Sequence, residues 1–249
     1  MSTSNPSGNV LEVRGVSKSF NGVHALADVD LDVPEGSIVG IIGPNGAGKT
    51  TFFNVVAGAL RPDSGHVRLF GKDVTGLPPH RIAHAGMART FQLMRPFGSM
   101  TARENVVAAA LTRGGSHKDA RLAADEVIDA TGMAAWADAT SDSLHTAALK
   151  RLELARVLAI RPRILLLDEV LAGLVPAERA PVVDLLARLR EAEGLTLVFV
   201  EHIMQAVMKL SDTVVVFDRG RVIASGEPTE VVADPRVVEA YLGQELTGA

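Results

Sequence analysis

The feature that most constrains this chain is Gly43-Pro44-Asn45-Gly46-Ala47-Gly48-Lys49-Thr50, which has the spacing GxxxxGK[ST]. It falls between a continuous apolar stretch, residues 37–42, and a run at helical spacing, residues 50–60, that Pro62 and Gly65 bring to a stop. A strand that is apolar on both faces has to be covered on both faces, so this order of strand, loop and helix predicts a parallel sheet with helices packed on it. Glycines let successive backbone N–H groups turn inward around phosphate oxygens, and the helix dipole adds positive potential at the same point. Lys49 would neutralise charge on the outer phosphates and the Thr50 hydroxyl can ligate Mg²⁺, with Thr51 beside it in the nucleotide-binding set.

Around this motif the chain alternates between two patterns. Residues 10–16 and 25–33 alternate loosely between apolar and polar, with turns at Asn21-Gly22 and Pro34-Glu35-Gly36, and predict antiparallel strands. Residues 94–156 are alanine-rich, helix-favouring and broken at Gly114-Gly115 and Gly132, which predicts a helical insertion. The short apolar runs 164–167, 195–200 and 214–217 then return to the pattern of buried parallel strands. Residues 221–224 predict one more strand and residues 228–243 terminal helices, with Pro235 in a first turn. The expected organisation is a polar, disordered leader over residues 1–9 and a single domain over 10–243. Within that domain, 10–92 and 157–243 form an α/β core and 93–156 form a helical subdomain.

Composition narrows the function classes. A net charge of −4 with 4% aromatic residues argues against a basic, ring-lined nucleic-acid groove. The absence of cysteine excludes disulfides, thiolate metal sites and a cysteine nucleophile, and suits a cytoplasmic address. Residues 1–10 lack the basic start and apolar core of a signal peptide, and no apolar run approaches the roughly 20 residues that span a bilayer. His80 and His84 have metal-ligand spacing, but no glutamate follows His80 and no third ligand is evident. Arg151, Glu153 and Arg156 read as a solvated helix side with some packing of the long stems.

A second chemical element lies at residues 164–169, where a buried strand ends in Asp168-Glu169. Strand ends of open α/β sheets are where ligands bind. There Asp168 would hold Mg²⁺ through its water shell and Glu169 would act as general base on the attacking water.

Taken in order, Phe20, the phosphate loop, Gln92, Asp168-Glu169 and His202 resemble the ATP-binding cassette (ABC) ATPases over nearly all of residues 10–243. Residues 87–92, 100–106, 201–212 and Tyr241-Leu242-Gly243 look like the subunits of branched-chain amino acid importers. The resemblance implies a P-loop NTPase fold of the ABC type: a RecA-like parallel core, an antiparallel β subdomain and a helical subdomain. It also implies that ATP and Mg²⁺ are bound. In that scheme Phe20 stacks on adenine, Gln92 contacts Mg²⁺ and the water while tying the core to the helical insertion, and His202 reaches the γ-phosphate. The implied partners are a second ABC ATPase subunit in a head-to-tail dimer, two transmembrane permease subunits and, indirectly, a solute-binding protein. The implied location is the cytoplasmic face of the cell membrane.

One motif departs from the family pattern. The signature LSGGQ or LSYGQ should fall at residues 144–148, because residues 150–156 align without gaps as the helix that follows it. This chain has Leu144-His145-Thr146-Ala147-Ala148 instead. In the family, this segment holds the γ-phosphate bound to the other subunit. Val170 and Val175 also stand where the family has proline and a polar Asn or Asp. The chain thus keeps what acts on its own nucleotide and loses what it lends to a neighbour's, which predicts a heterodimer with one degenerate site. Two alternatives remain open on the sequence: an ABC-type ATPase with a regulatory or assembly role and no channel, and a non-hydrolysing structural cassette.

Overall fold

The computed structural model describes residues 8–90 and 96–245, with side chains described up to 240. Two sheets share one body. The first is antiparallel, in the order β2-β1-β4-β5, from β1 (Asn9–Phe20), β2 (Val23–Pro34), β4 (Ser64–Leu69) and β5 (Lys72–Asp73). Asn21 (φ 50°) and Gly22 (φ 83°) close β1 onto β2, the two-residue mirror-image turn whose twist matches that of the flanking strands. Glu35 N–H donates to Gly8 O and Asn9 already belongs to β1, so the described structure extends into the range expected as a leader. Residues 1–7 of that range lie outside the described residues.

The second sheet has the order β10-β9-β3-β8-β7-β6. It comprises β3 (Ile38–Ile42), β6 (Met87–Arg89), β7 (Ile164–Asp168), β8 (Thr196–Val200), β9 (Thr213–Asp218) and β10 (Arg221–Gly226). All its pairs are parallel except β9 with β10. Every residue of β3, β7 and β8 is buried, as apolar runs without alternation require. Three helices surround this sheet in sequence: α1 (Lys49–Val56), α6 (Pro176–Glu193) and α7 (Met204–Leu210). The short helix α2 (Pro79–His84) precedes β6, and α8 (Pro228–Ala233) and α9 (Pro235–Glu245) end the chain. The first helix is shorter than the apolar pattern of residues 50–60 predicts, stopping at Val56 with Ala57 as its C-cap.

The insertion holds α3 (Ala102–Leu111), α4 (His117–Ala130) and α5 (Thr146–Ala159). These helices bury their own cluster around Val106, Ile128, Met133 and Leu152. The helix α5 runs beyond Arg156 to Ala159, because its apolar positions Leu158 and Ala159 continue into buried contacts. Asn105 is wholly buried and holds the segment that follows the undescribed residues 91–95. Its Oδ1 accepts from Phe97 N–H at 2.8 Å, and its Nδ2 donates to Ser141 Oγ at 2.8 Å and to Thr101 O at 3.0 Å. The expected solvated face of Arg151, Glu153 and Arg156 is instead half-buried. Arg151 donates to Thr131 O at 3.4 Å, and the Arg156 guanidinium stands 5.6 Å from the Phe97 ring centroid.

Candidate nucleotide-binding site

The C-terminal ends of three adjacent parallel strands deliver the site. β3 leads into residues 43–50, β7 ends at Asp168 with Glu169 after it, and β8, which lies between them, leads through Glu201 to His202. The crevice beyond such strand ends is where open α/β sheets take their ligands.

The loop needs glycine at two points for reasons visible in the structure. Gly43 has φ 146°, and a Cβ there would stand 2.1 Å from Phe217 O; Gly48 has φ 102°, and its Cβ would stand 2.4 Å from Ala25 O. The second contact also shows that β2 is pressed against the loop. Gly48 is the N-cap of α1, with no side-chain cap and no acidic residue in the first turn. The amides of that turn are therefore left for an anion, in the field of the helix dipole. Lys49 Nζ donates to Gly43 O at 2.6 Å and to Pro44 O at 2.8 Å. Burial lowers the Lys49 ammonium below its usual value, while Glu169 and Asp168 raise it, so both carboxylates act on Lys49 across the crevice. Thr50 is exposed on the same turn, with Thr51 half-buried beside it. Asn45 and Gly46 are exposed at the loop tip, and Pro44 and Ala47 are buried beneath it.

Asp168 is 4% exposed. Its Oδ2 accepts from Arg89 Nη2 at 2.7 Å, and its backbone N–H donates to Thr90 Oγ1 at 3.1 Å. Glu169 takes the left-handed region at φ 48°, a conformation that costs a non-glycine residue of order 1–3 kcal/mol and persists only where neighbours impose it. They do so on both sides. Glu169 N–H donates to Val200 O at 3.0 Å, and Lys150 Nζ of α5 donates to Glu169 O at 3.2 Å. His202 is exposed.

Two expected residues stand differently. Phe20 ends β1 on the other sheet and is 44% exposed, with Lys18 Nζ 5.6 Å from its ring centroid. Gln92 lies outside the described residues. Of the two histidines at metal-ligand spacing, His84 engages Nδ1 with His80 O at 2.6 Å.

Two residues of the site are absent from motif reasoning. Arg89 holds Asp168, and Glu201 is 2% exposed with Oε1 accepting from Leu171 N–H at 2.7 Å. The sequence signals for them are faint: both fall in stretches marked only by the family resemblance, residues 87–92 and 201–212, and Glu201 is otherwise a carboxylate directly after an apolar strand.

The signature positions divide by exposure. His145 is exposed, edge-on to Trp136 with ring centroids 5.6 Å apart, and caps α5 without a side-chain hydrogen bond. Ala148 is fully buried.

The family model described as ABC transporter matches residues 26–172, more than half of the chain. One described as branched-chain amino acid ATP-binding cassette transporter matches residues 221–247. The chain is 39% identical to the high-affinity branched-chain amino acid transport ATP-binding protein BraF of Pseudomonas aeruginosa, over 94% of this chain and 98% of that protein. It is 37% identical to LivG of Escherichia coli, with the same coverage, and 34% identical to the lipopolysaccharide export system ATP-binding protein LptB of Acidithiobacillus ferridurans, over 95% and 98%. Among solved structures, the ADP conformation of an ATP-binding cassette of an ABC transporter superposes with a TM-score of 0.86 at 30% identity, covering 94% of this chain and 99% of that one. The chain belongs to the ABC transporter family, as an ATP-binding cassette with the ATPase activity of that family.

Proposed function

We propose that this chain is the ATP-hydrolysing subunit that energises import of branched-chain or related amino acids. The observation that carries the reading is the delivery of Lys49, His202 and Asp168-Glu169 to one crevice by three neighbouring strand ends. The match over residues 221–247 favours the branched-chain class over that of the lipopolysaccharide-export relative.

In this reading the amides of residues 43–50 and Lys49 bind and orient the phosphates, and Phe20 packs on the adenine. Glu169, fixed by Val200 and Lys150, takes a proton from the attacking water. His202 stands at the γ-phosphate end. The donor set for Mg²⁺ is the Thr50 hydroxyl, the Asp168 carboxylate acting through water, and the Gln92 amide oxygen. All are hard oxygens, and Mg²⁺ characteristically takes one or two such groups plus substrate phosphates and water. Bound there, the ion would neutralise charge developing on the phosphates.

Residues 10–243 would form one cassette, with 93–156 as its helical subdomain. Among the described residues no helix is long and apolar enough to cross a membrane, and we assign the chain to the cytoplasmic face of the membrane, held there by two permease subunits. The groove of about 500 Å³ lined by Phe97, Glu153, Arg156 and His80 is the surface we assign to them. A second, homologous cassette would complete the nucleotide site, and the degenerate residues 144–148 would leave the opposite site slow. Steady-state ATPase of the purified chain, alone and mixed with cassette partners from its own organism, tests this. Negligible turnover alone that rises with one partner is expected. Robust turnover alone, growing faster than linearly with enzyme concentration, would dismiss the asymmetric pairing.

A further inference from the structure

Arg89 is the last residue of β6 and joins it to β7 and α1. Its Nη2 donates to Asp168 Oδ2 at 2.7 Å, its Nη1 donates to Asn54 Oδ1 of α1 at 2.6 Å, and its guanidinium carbon lies 5.5 Å from the Phe53 ring centroid. The Arg89 and Asp168 side chains are 8% and 3% exposed, so the ion pair is screened by almost no water. Thr90, the next residue, accepts from Asp168 N–H and donates its own N–H to Leu166 O at 2.9 Å. The tail of β6 therefore clamps Asp168 by side chain and backbone together, while Asn54 ties the same guanidinium to the helix that begins with Lys49 and Thr50.

We propose that Arg89 is a positioning residue that fixes the rotation of the Asp168 carboxylate relative to Thr50, so that Mg²⁺ is bound with the nucleotide. The inference rests on the reading of this crevice as a Mg²⁺–ATP site. Arg89 engages a single carboxylate oxygen, Asp168 Oδ2. A planar guanidinium can hold two acceptors in fixed directions; an ammonium on a flexible stem cannot do so in the same geometry. Lysine at this position keeps the charge that Asp168 needs in its buried setting, yet surrenders the orientation.

The test is ATP binding by the isolated chain, followed calorimetrically in EDTA and across a Mg²⁺ titration, for the wild type, Arg89→Lys and Asn54→Ala. Asn54→Ala leaves the ion pair whole and removes only the tie to α1, so it decides the matter if Arg89→Lys fails to fold. Outer residues that orient a metal ligand typically matter by roughly ten- to a hundredfold in metal affinity. The Mg²⁺ concentration for half-maximal tightening of ATP should rise on that scale in Arg89→Lys and severalfold in Asn54→Ala, with ATP affinity in EDTA unchanged. A wild-type Mg²⁺ dependence in Asn54→Ala, or in a folded Arg89→Lys, overturns the proposal. Failure of the wild type itself to bind ATP overturns the reading of the crevice, and the inference with it.

Discussion

Glu201 is a buried carboxylate one residue from His202, and among the described residues its Oε2 has no hydrogen-bond partner. Burial pushes the carboxyl up from its ordinary 4.5 and Glu169 pushes the same way, against the Leu171 N–H and His202, which pull it down. The folded chain thus keeps a proton there to higher pH than the unfolded chain does. The stability this contributes is complete below 4.5 and is lost as pH rises through the elevated folded value, at about 1.4 kcal/mol for each pH unit over which the two states differ by a whole proton. Glu201→Gln imitates the protonated carboxyl and still accepts from Leu171. Its melting temperature should match the wild type in acid and exceed it increasingly above 4.5, and a constant difference across pH would show that Glu201 is not the titrating group. Lys49, Thr50, Asp168 and Glu169 are legible in the sequence as candidates because each stands in a local strand-to-loop pattern. Glu201 and Arg89 are not, because their partners Leu171 and Asp168 are 30 and 79 residues away along the chain.

The elements were legible where burial sets the pattern and obscure where one or two contacts do. Runs such as residues 164–167 mark parallel strands directly, whereas β6 has three residues and reads as a strand only beside β7. Helix starts show a similar contrast. Thr101 and Ser116 cap α3 and α4, each accepting from the amide three residues on, while Glu104 and Asp119 return the bond. Val175 caps α6 with no side-chain acceptor, and only the return bond exists, from Val175 N–H to Glu178 Oε2 at 3.1 Å. Val175 is 57% exposed, so a polar replacement disturbs little packing. Val175→Asp should therefore stabilise the chain by about 0.5–2 kcal/mol, read as a melting temperature higher by a few degrees; an unchanged or lower value would mean that the α6 amides are already satisfied. The start of α5 separates its reversions by burial. His145→Ser with Ala147→Gly changes an exposed cap and a half-buried turn and, if the signature reading holds, raises turnover of the assembled complex. Ala148→Gln forces an amide into a fully buried position and should cost about 1–3 kcal/mol of stability. The two-residue variant is the informative one: unchanged turnover with a normal melting curve would mean that residues 144–148 do not limit the second site.

At the scale of the whole molecule, two hydrophobic bodies meet at a groove that composition could not reveal, because its walls come from α2, β6, α3 and α5. The helical insertion packs its own cluster and is joined to the sheet by Leu154 and Leu158 of α5 in the sheet's core, by Lys150 on Glu169 O and by the loop that Asn105 holds. Phe97 stands on that loop, 54% exposed, with its backbone N–H and C=O both bonded to Asn105 and its ring beside Arg156. An aromatic ring held out on a fixed backbone loses little entropy when covered, and such anchors dominate interface energetics. Burial holds the Arg156 guanidinium at a lowered value even in the isolated chain, so the cation is already partly desolvated where a partner would arrive. If this groove receives the permease, Phe97→Ala should weaken assembly with the membrane subunits by about tenfold or more, since such anchors commonly contribute over 1.4 kcal/mol. ATP binding and the melting temperature of the isolated variant should stay at wild-type values, because the ring is largely solvent-facing and remote in sequence from residues 43–51. Co-purification and a titration of detergent-solubilised permease against both chains would measure it. Undiminished assembly would assign the permease contact to another face, whereas weakened assembly with a lowered melting temperature would trace the effect to the Asn105 loop rather than to docking.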